Sequence, residues 1–273
     1  YEPAERNPRK FHGVGPFDKK TGETKPSLPS YTSYLSDYLP KLFKRHGNLV
    51  AITAAMPDGT GLNTLQNIYP HRVYDVGMSE GHAVTFAAGL AAGGSRPIVA
   101  IYSTFLQRAY DSVIHDVALQ NLPVIFLLDR AGLVGDDGAT HHGLFDMSYL
   151  RILPNLTLMA PRDEHEMARM IEFAVNSLTG PVAIRYPRGS GTGKRHYNRL
   201  TPLKSVKGEL LATGKDPVMI ISVGIMERTA SEAVVKLEKK GKKVFHYDLR
   251  FVKPLPEELF EIIKKNNISR IVT

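Results

Sequence analysis

The chain reads as an α/β protein in which a parallel sheet, covered by helices on both faces, is followed by a second α/β unit. Three observations carry that expectation. From residue 31 to residue 186 short apolar runs alternate with helical patterns, the arrangement of strands joined by helical crossovers. The segment Pro187–Thr201, PRGSGTGKRHYNRLT, is a linker by its Gly, Pro and charge content. A second alternation follows it, over residues 202–273.

The elements follow in order. Residues 1–30 hold five prolines and repeated charge, which should break any regular element, so they read as an extended arm. The first helix is expected at Tyr31–Arg45. Strand-like runs come at Leu49–Thr53, Arg72–Val76, Ile98–Tyr102, Val124–Leu128, Thr157–Met159 and Val182–Arg185. Helical patterns lie between them at residues 80–92, 105–119 and 163–178. Beyond the linker, strands are expected near Val218–Val223 and Lys243–Tyr247, with a helix at Glu227–Lys240. The sequence stops inside a strand-like run, Ile271–Thr273, which suggests a fragment or one piece of a nicked protein.

Composition excludes several classes. With 273 residues, 42% of them hydrophobic, the chain can bury one large core or two ordinary ones. No apolar run reaches the roughly 18 residues of a spanning helix, and residues 1–30 lack the apolar centre of a signal peptide. Cysteine is absent, which removes disulfides, thiolate metal sites and a cysteine nucleophile, and fits a reducing compartment. The net charge is +8, but the lysines cluster late, in KLEKKGKK (236–243) and at Lys264 and Lys265. Apolar helix positions interrupt them, so they are solvated helix faces. Without tryptophan or an aromatic-rich basic strand, no nucleic-acid partner is expected. Selected arginines suit a small polyanionic ligand better.

The most informative segment is Tyr74–Gly94, YDVGMSEGHAVTFAAGLAAGG. Ala83, Val84, Phe86, Ala87, Leu90 and Ala91 leave its helix no solvated face, so it should be buried. Glu80 opens that helix just after a strand, where open α/β sheets bind ligands. The plain alternative is an acid that stabilises the helix dipole. Phe105 and Met56 follow other strands in the same way, although each also suits an ordinary core. Arg130 follows Val124–Leu128, Arg188 follows the last strand of the first unit, and Arg108 lies one helical turn past Phe105. Three guanidinium groups at strand ends on one sheet edge would converge on a cleft fit for phosphate, with Tyr102 adding a hydroxyl donor. Surface ion pairing is the alternative, and Arg108 has Asp111 within reach. The loop Gly132–Gly143 carries Asp137, His141 and His142. Its spacing lacks the helical i, i+4 pair of many metal sites, and adjacent histidines point apart in extended chain, so no metal ligand is assigned.

Taken together, the arm YEPAERNPRKFHGVG, SEGHAVTFAAGLA, IYSTFLQRAYDSVIHDVALQNLPV, DRAGLVGDDGATHHGLFD and AIRYPRG resemble the thiamine diphosphate enzymes of the transketolase type. The resemblance spans essentially the whole chain. It is narrowest toward the branch that joins pyruvate to D-glyceraldehyde 3-phosphate, with loss of CO2, to give 1-deoxy-D-xylulose 5-phosphate for isoprenoid and thiamine biosynthesis. It implies a pyrimidine-binding domain over residues 31–186 and a partial transketolase C-terminal-like domain over residues 202–273, joined by the 187–201 linker. Glu80 then activates the cofactor by hydrogen-bonding its pyrimidine nitrogen, Phe105 stacks on the pyrimidine and Met56 touches the rings. Tyr102, Arg108, Arg130, Asp137, His141 and Arg188 bind the acceptor, and His12, His82 and His141 serve in catalysis. The family's Mg2+ and diphosphate motif, Gly-Asp-Gly…Asn, has no counterpart, since MPDG and GDDG lack the partner asparagine. Mg2+ is therefore expected in an upstream domain, and the chain alone should be inactive. A homodimer without membrane association is implied, in bacterial cytoplasm or a plant plastid stroma. The β-subunit of a 2-oxo acid dehydrogenase, transketolase itself, and a non-catalytic α/β module remain as alternatives. The phosphate-seeking arginine pair argues against the first of these.

Overall fold

The computed structural model describes residues 1–11, 17–23, 28–193 and 200–273. The arm is not wholly extended. Glu2–Arg6 (α1) and Pro8–Phe11 (α2) are short helices. Their prolines sit in the first turn, where the missing N–H costs nothing, so proline starts these helices rather than breaking them. Tyr1, Phe11 and Phe17 close into a small aromatic cluster, with ring centroids 5.1–5.7 Å apart.

Tyr31–Arg45 forms α3, as its pattern predicts, and the Ser30 hydroxyl caps it by accepting from Ser33 N–H. Then come β1 (Leu49–Thr53), α4 (Asn63–Ile68), β2 (Val73–Asp75), α5 (Glu80–Ala92) and β3 (Arg96–Tyr102). The expected helix over 105–119 is broken into α6 (Ser103–Leu106), a tight turn, α7 (Tyr110–Ser112) and a wide π-helical turn at Val113–Ala118. The first unit is completed by β4 (Ile125–Asp129), α8 (Asp146–Leu150), β5 (Thr157–Met159), α9 (Glu164–Ser177) and β6 (Val182–Arg185). The strands lie in the order β5-β6-β4-β3-β1-β2, all parallel. Helices α3 and α9 pack on one face, and α5 with the 103–118 segment on the other. Helix α5 is not apolar-buried all round: Ala83, Val84, Ala87 and Ala91 are buried, whereas His82 and Thr85 are exposed and Phe86 and Leu90 half-buried. Small alanines make its sheet-facing side, so the larger residues fall on the outer side.

The second unit comprises β7 (Glu209–Ala212), β8 (Val218–Ser222), α10 (Met226–Lys239), β9 (Phe245–Asp248), β10 (Phe251–Lys253), α11 (Glu257–Lys265) and β11 (Arg270–Val272). Its sheet runs β11-β8-β9-β7, with β7 antiparallel to β9. Strand β10 leaves this unit and pairs antiparallel with β5 of the first sheet, Phe251 opposite Met159. Phe251 is fully buried there against Phe173.

Beside that strand the units share an ion network whose Glu166, Asp248 and Arg250 are buried and whose other members are half-buried. Arg162 Nη1 lies 2.7 Å from Glu209 and 3.0 Å from Asp248. Glu166 takes Arg250 at 2.6 Å and Arg169 at 2.8 Å, and Arg250 also meets Glu209. Burial pushes the Asp248 carboxyl up to about 7, with Arg162 pulling it down and Glu166 pushing it up. A carboxyl raised on folding adds stability that is full below its unfolded pKa near 4 and is lost as pH climbs through 7. Asp248→Asn keeps the shape without the charge. Its melting temperature relative to the parent should therefore rise from pH 5 to pH 7 and level off above that; a constant difference would show that Asp248 does not titrate in this range.

Candidate active site

The chain passes from β1 to the edge at β2 and returns to the other side of β1 for β3. Between β1 and β3 the strand order reverses, which opens a crevice at the carboxyl ends of the strands. A cavity of about 650 Å3 lies there. Its wall takes Ala55–Gly59 from the segment after β1, Tyr102 and Phe105 from the end of β3 and α6, Arg130 from just past β4, Arg188 from past β6, and Asp137 and His141 from the 132–143 loop. Met56, Phe105, Tyr102, Arg130, Asp137, His141 and Arg188 thus meet in one place, although they are spread over more than 130 residues of sequence.

The aromatic side of the cavity is a stack. Tyr102 and Phe105 lie nearly parallel with centroids 5.4 Å apart, and His141 meets the Phe105 ring edge at 5.4 Å. Burial pushes the Tyr102 hydroxyl above its ordinary pKa, which keeps it a protonated donor. The basic side is held by its own acids. Arg130 sits 4.0 Å over the Tyr102 ring, and its Nη1 donates to the Gly59 carbonyl at 2.7 Å. Asp137 lies between the guanidinium groups, 3.7 Å from Arg130 Nε and 3.0 Å from Arg188 Nε. Arg130 Nε is buried and has no hydrogen-bond acceptor. A desolvated donor on a cation is costly, and an anionic ligand would satisfy it.

Glu80 is buried at the first turn of α5 and does not line this cavity. Arg108 links it to the wall: Arg108 Nη1 lies 3.4 Å from the Glu80 carboxylate and its guanidinium 5.6 Å from the Phe105 ring. The alternative pairing with Asp111 is not the one formed, and Arg108, expected to converge with Arg130 and Arg188, does not line the cavity beside them. His82 is exposed on α5, stacked on Phe86, and is not part of the wall. His12 lies outside the described residues. His142 accepts from Val134 N–H through Nδ1 and so shapes its loop, whereas His141 faces the cavity. Among the described residues no group of three or more His, Cys, Asp or Glu is placed to hold a metal ion. No helix is long and apolar enough to cross a membrane among them.

Sequence reasoning missed Gly59. A Cβ there would fall 2.1 Å from the Tyr102 hydroxyl, so only glycine lets that hydroxyl lie against the loop. The signal was the PDG turn at residues 57–59, in the loop that follows β1.

Comparison with known proteins identifies the family. The family model for the transketolase pyrimidine-binding domain matches residues 28–193. The chain belongs to that family. The transketolase C-terminal domain model matches residues 207–273, so the pyrimidine-binding domain is followed by a second transketolase module. A 1-deoxy-D-xylulose-5-phosphate synthase of Geobacter sulfurreducens is 57% identical over 95% of this chain and 41% of its own length. One from Chlorobaculum tepidum is 50% identical over 100% of this chain and 44% of its own. The chain thus spans about two fifths of the length of these relatives. Among solved structures, a split-gene transketolase, described as an inactive β4 tetramer, superposes with a TM-score of 0.76 at 25% identity, over 88% of this chain and 77% of that one. A Pichia stipitis transketolase complexed with sedoheptulose-7-phosphate gives 0.70 at 18%, over 86% and 37%, which shows the shared fold.

The close approach at Gly59 makes a test. Gly59→Ala must displace the Tyr102 ring and with it the seat of Arg130. Binding of inorganic phosphate to the whole chain, followed by calorimetry, should weaken by about tenfold or more, since small misplacements in such sites are expensive. Unchanged affinity would mean that this corner takes no anion.

Proposed function

We propose that this chain supplies the pyrimidine pocket and acceptor clamp of a synthase that condenses pyruvate with D-glyceraldehyde 3-phosphate, releasing CO2, to form 1-deoxy-D-xylulose 5-phosphate. The observation that supports this reading most directly is the pair Arg130 and Arg188 converging on one aromatic cavity, with a buried guanidinium donor left unmatched. Relatives at 57% and 50% identity carry the synthase name.

Thiamine diphosphate, when bound, supplies the electron sink that lets pyruvate lose CO2 and the resulting two-carbon unit attack an aldehyde. The residues here fit its aminopyrimidine end. Phe105 and Met56 offer an apolar ring surface, and Glu80, linked to Phe105 through Arg108, offers a buried carboxyl to hydrogen-bond a ring nitrogen. Arg108 holds that carboxyl in place. Among the described residues no cluster of acids and histidines fits Mg2+, so in this proposal the metal and the diphosphate belong to residues beyond those described, and no step here depends on the metal. Arg130 and Arg188 orient the acceptor by its phosphate, which takes paired N–H donors. In this reading Tyr102 donates a further hydrogen bond. In the same reading His141, on the aromatic side, exchanges a proton with the aldehyde oxygen as it becomes a hydroxyl. A homodimer and a cytoplasmic setting are part of the same proposal and rest on the family resemblance alone.

Two variants test the reading in the whole protein. Arg188→Ala should raise KM for glyceraldehyde 3-phosphate by about ten- to hundredfold, the value of a charged hydrogen bond, with little change in KM for pyruvate. Equal losses with unphosphorylated glyceraldehyde would remove the phosphate clamp. Glu80→Ala should abolish carbon-2 proton exchange on bound thiamine diphosphate while the melting temperature holds. Normal exchange in that variant would take Glu80 out of the chemistry.

A further inference from the structure

One buried carboxylate under the cavity has no part in the reading above. Asp129 ends β4 and is fully buried. Its Oδ1 accepts the backbone N–H of Arg130 at 2.7 Å and lies 3.1 Å from Arg130 Nη1. Its Oδ2 accepts the Thr32 hydroxyl, from the first turn of α3, at 2.9 Å. Burying a carboxylate this deeply is unfavourable unless it is paired, and the cation that it meets is Arg130.

The consequence for Arg130 is geometric. Its backbone is left-handed, with φ of 58°, a conformation that a residue with a long side chain rarely holds unaided. Asp129 Oδ1 fastens the N–H of that turn. The same oxygen, together with the Gly59 carbonyl, occupies Nη1 and fixes the guanidinium over the Tyr102 ring. The plane of the guanidinium is thereby set, and its Nε edge is left turned toward Asp137 without a hydrogen-bond acceptor. Without Asp129, the carboxylate of Asp137 would be the remaining anion within reach, and the guanidinium would be free to rotate onto it.

We propose that Asp129 is a positioning residue that holds Arg130 edge-on to the acceptor's phosphate, and that Thr32 holds Asp129 in turn. This rests on the phosphate-clamp reading of Arg130 and Arg188. Asp129 touches no ligand; it acts through the arginine. Its effect is therefore confined to phosphorylated acceptors.

The test compares Asp129→Asn, Arg130→Ala, the double variant and Thr32→Val in the whole protein with thiamine diphosphate and Mg2+. KM and kcat are measured for glyceraldehyde 3-phosphate and for unphosphorylated glyceraldehyde. Asp129→Asn should raise KM for the phosphorylated aldehyde by about ten- to hundredfold, as expected when the partner of a charged hydrogen bond is lost. It should leave KM for glyceraldehyde and for pyruvate near the parent values. The double variant should be no worse than Arg130→Ala alone, because a residue acting only through another adds nothing once the other is gone. Thr32→Val keeps the carboxylate and should shift the same KM in the same direction by about a few-fold. If Asp129→Asn does not fold, Thr32→Val decides, and an unchanged KM there overturns the proposal. Additive losses in the double variant, or equal losses on both aldehydes, also overturn it. If Arg130→Ala itself fails to discriminate the aldehydes, the clamp reading falls and takes this inference with it. If Arg130→Ala discriminates and Asp129→Asn does not, the inference falls alone.

Discussion

The arrangement depends on one topological constraint, the reversal of strand order between β1 and β3. A parallel sheet needs a crossover after every strand, and its two faces must both be covered. Here α3 and α9 cover one face, and α5 with the 103–118 segment the other. Both faces being occupied by apolar packing, polar side chains can collect only at the strand ends. The reversal parts the loops at the carboxyl edge, and that is where Met56, Tyr102, Phe105 and Arg130 are delivered. The cavity is thus a product of the fold before any of its residues is chosen.

The junction of the two units shows a different balance. Strand β10 extends the first sheet by one antiparallel strand, and Phe251 enters the first core. That contact is apolar and supplies favourable burial. The adjacent network of Arg162, Glu166, Arg169, Glu209, Asp248 and Arg250 supplies something else. Buried ion pairs gain little net stability over apolar packing, but an unpaired member is strongly unfavourable. Acids and bases from both units must therefore meet in one register, and a slipped docking would strand several charges at once.

How much of this was legible in the sequence varies by element. The helix Tyr31–Arg45 and the strands Leu49–Thr53, Thr157–Met159 and Val182–Arg185 were read to the residue, because a clear period or an apolar run marks each. The helix over 105–119 was read as one piece, since a local break in winding leaves no mark on apolar spacing. Strand β10 was missed because three residues, FVK, carry no period, and its partner lies about 90 residues away. At the site, Met56, Tyr102, Phe105, Arg130, Asp137, His141 and Arg188 were singled out in the sequence, whereas Asp129 and Gly59 were not. Both act on other side chains rather than on a ligand. Such roles exist only in three dimensions: a glycine is needed at 59 because Tyr102 comes from another strand. Arg108 is a parallel case, its partner Glu80 lying in another helix rather than at the nearby Asp111.

The charge balance of the cavity follows from these placements. Arg130 and Arg188 bring two positive charges, and Asp129 and Asp137 bring two carboxylates, yet the carboxylates are not equivalent. Asp129 is sealed under the sheet edge, its carboxyl pushed up to about 6 by burial while Arg130 and Thr32 pull it down. Asp137 is partly open and sits on a loop whose turns use left-handed backbone at Gly132, Gly135 and Gly138. The inner acid is thus fixed by strand, helix and backbone N–H together, and the outer one by its loop and by the two arginines that it lies between. A phosphate brings more negative charge than a carboxylate and more acceptor oxygens for the same N–H donors. Under the clamp reading it competes with Asp137 and leaves Asp129 untouched. One acid then sets the direction of Arg130 whether or not a ligand is present, while the other balances the two arginines until a stronger anion arrives.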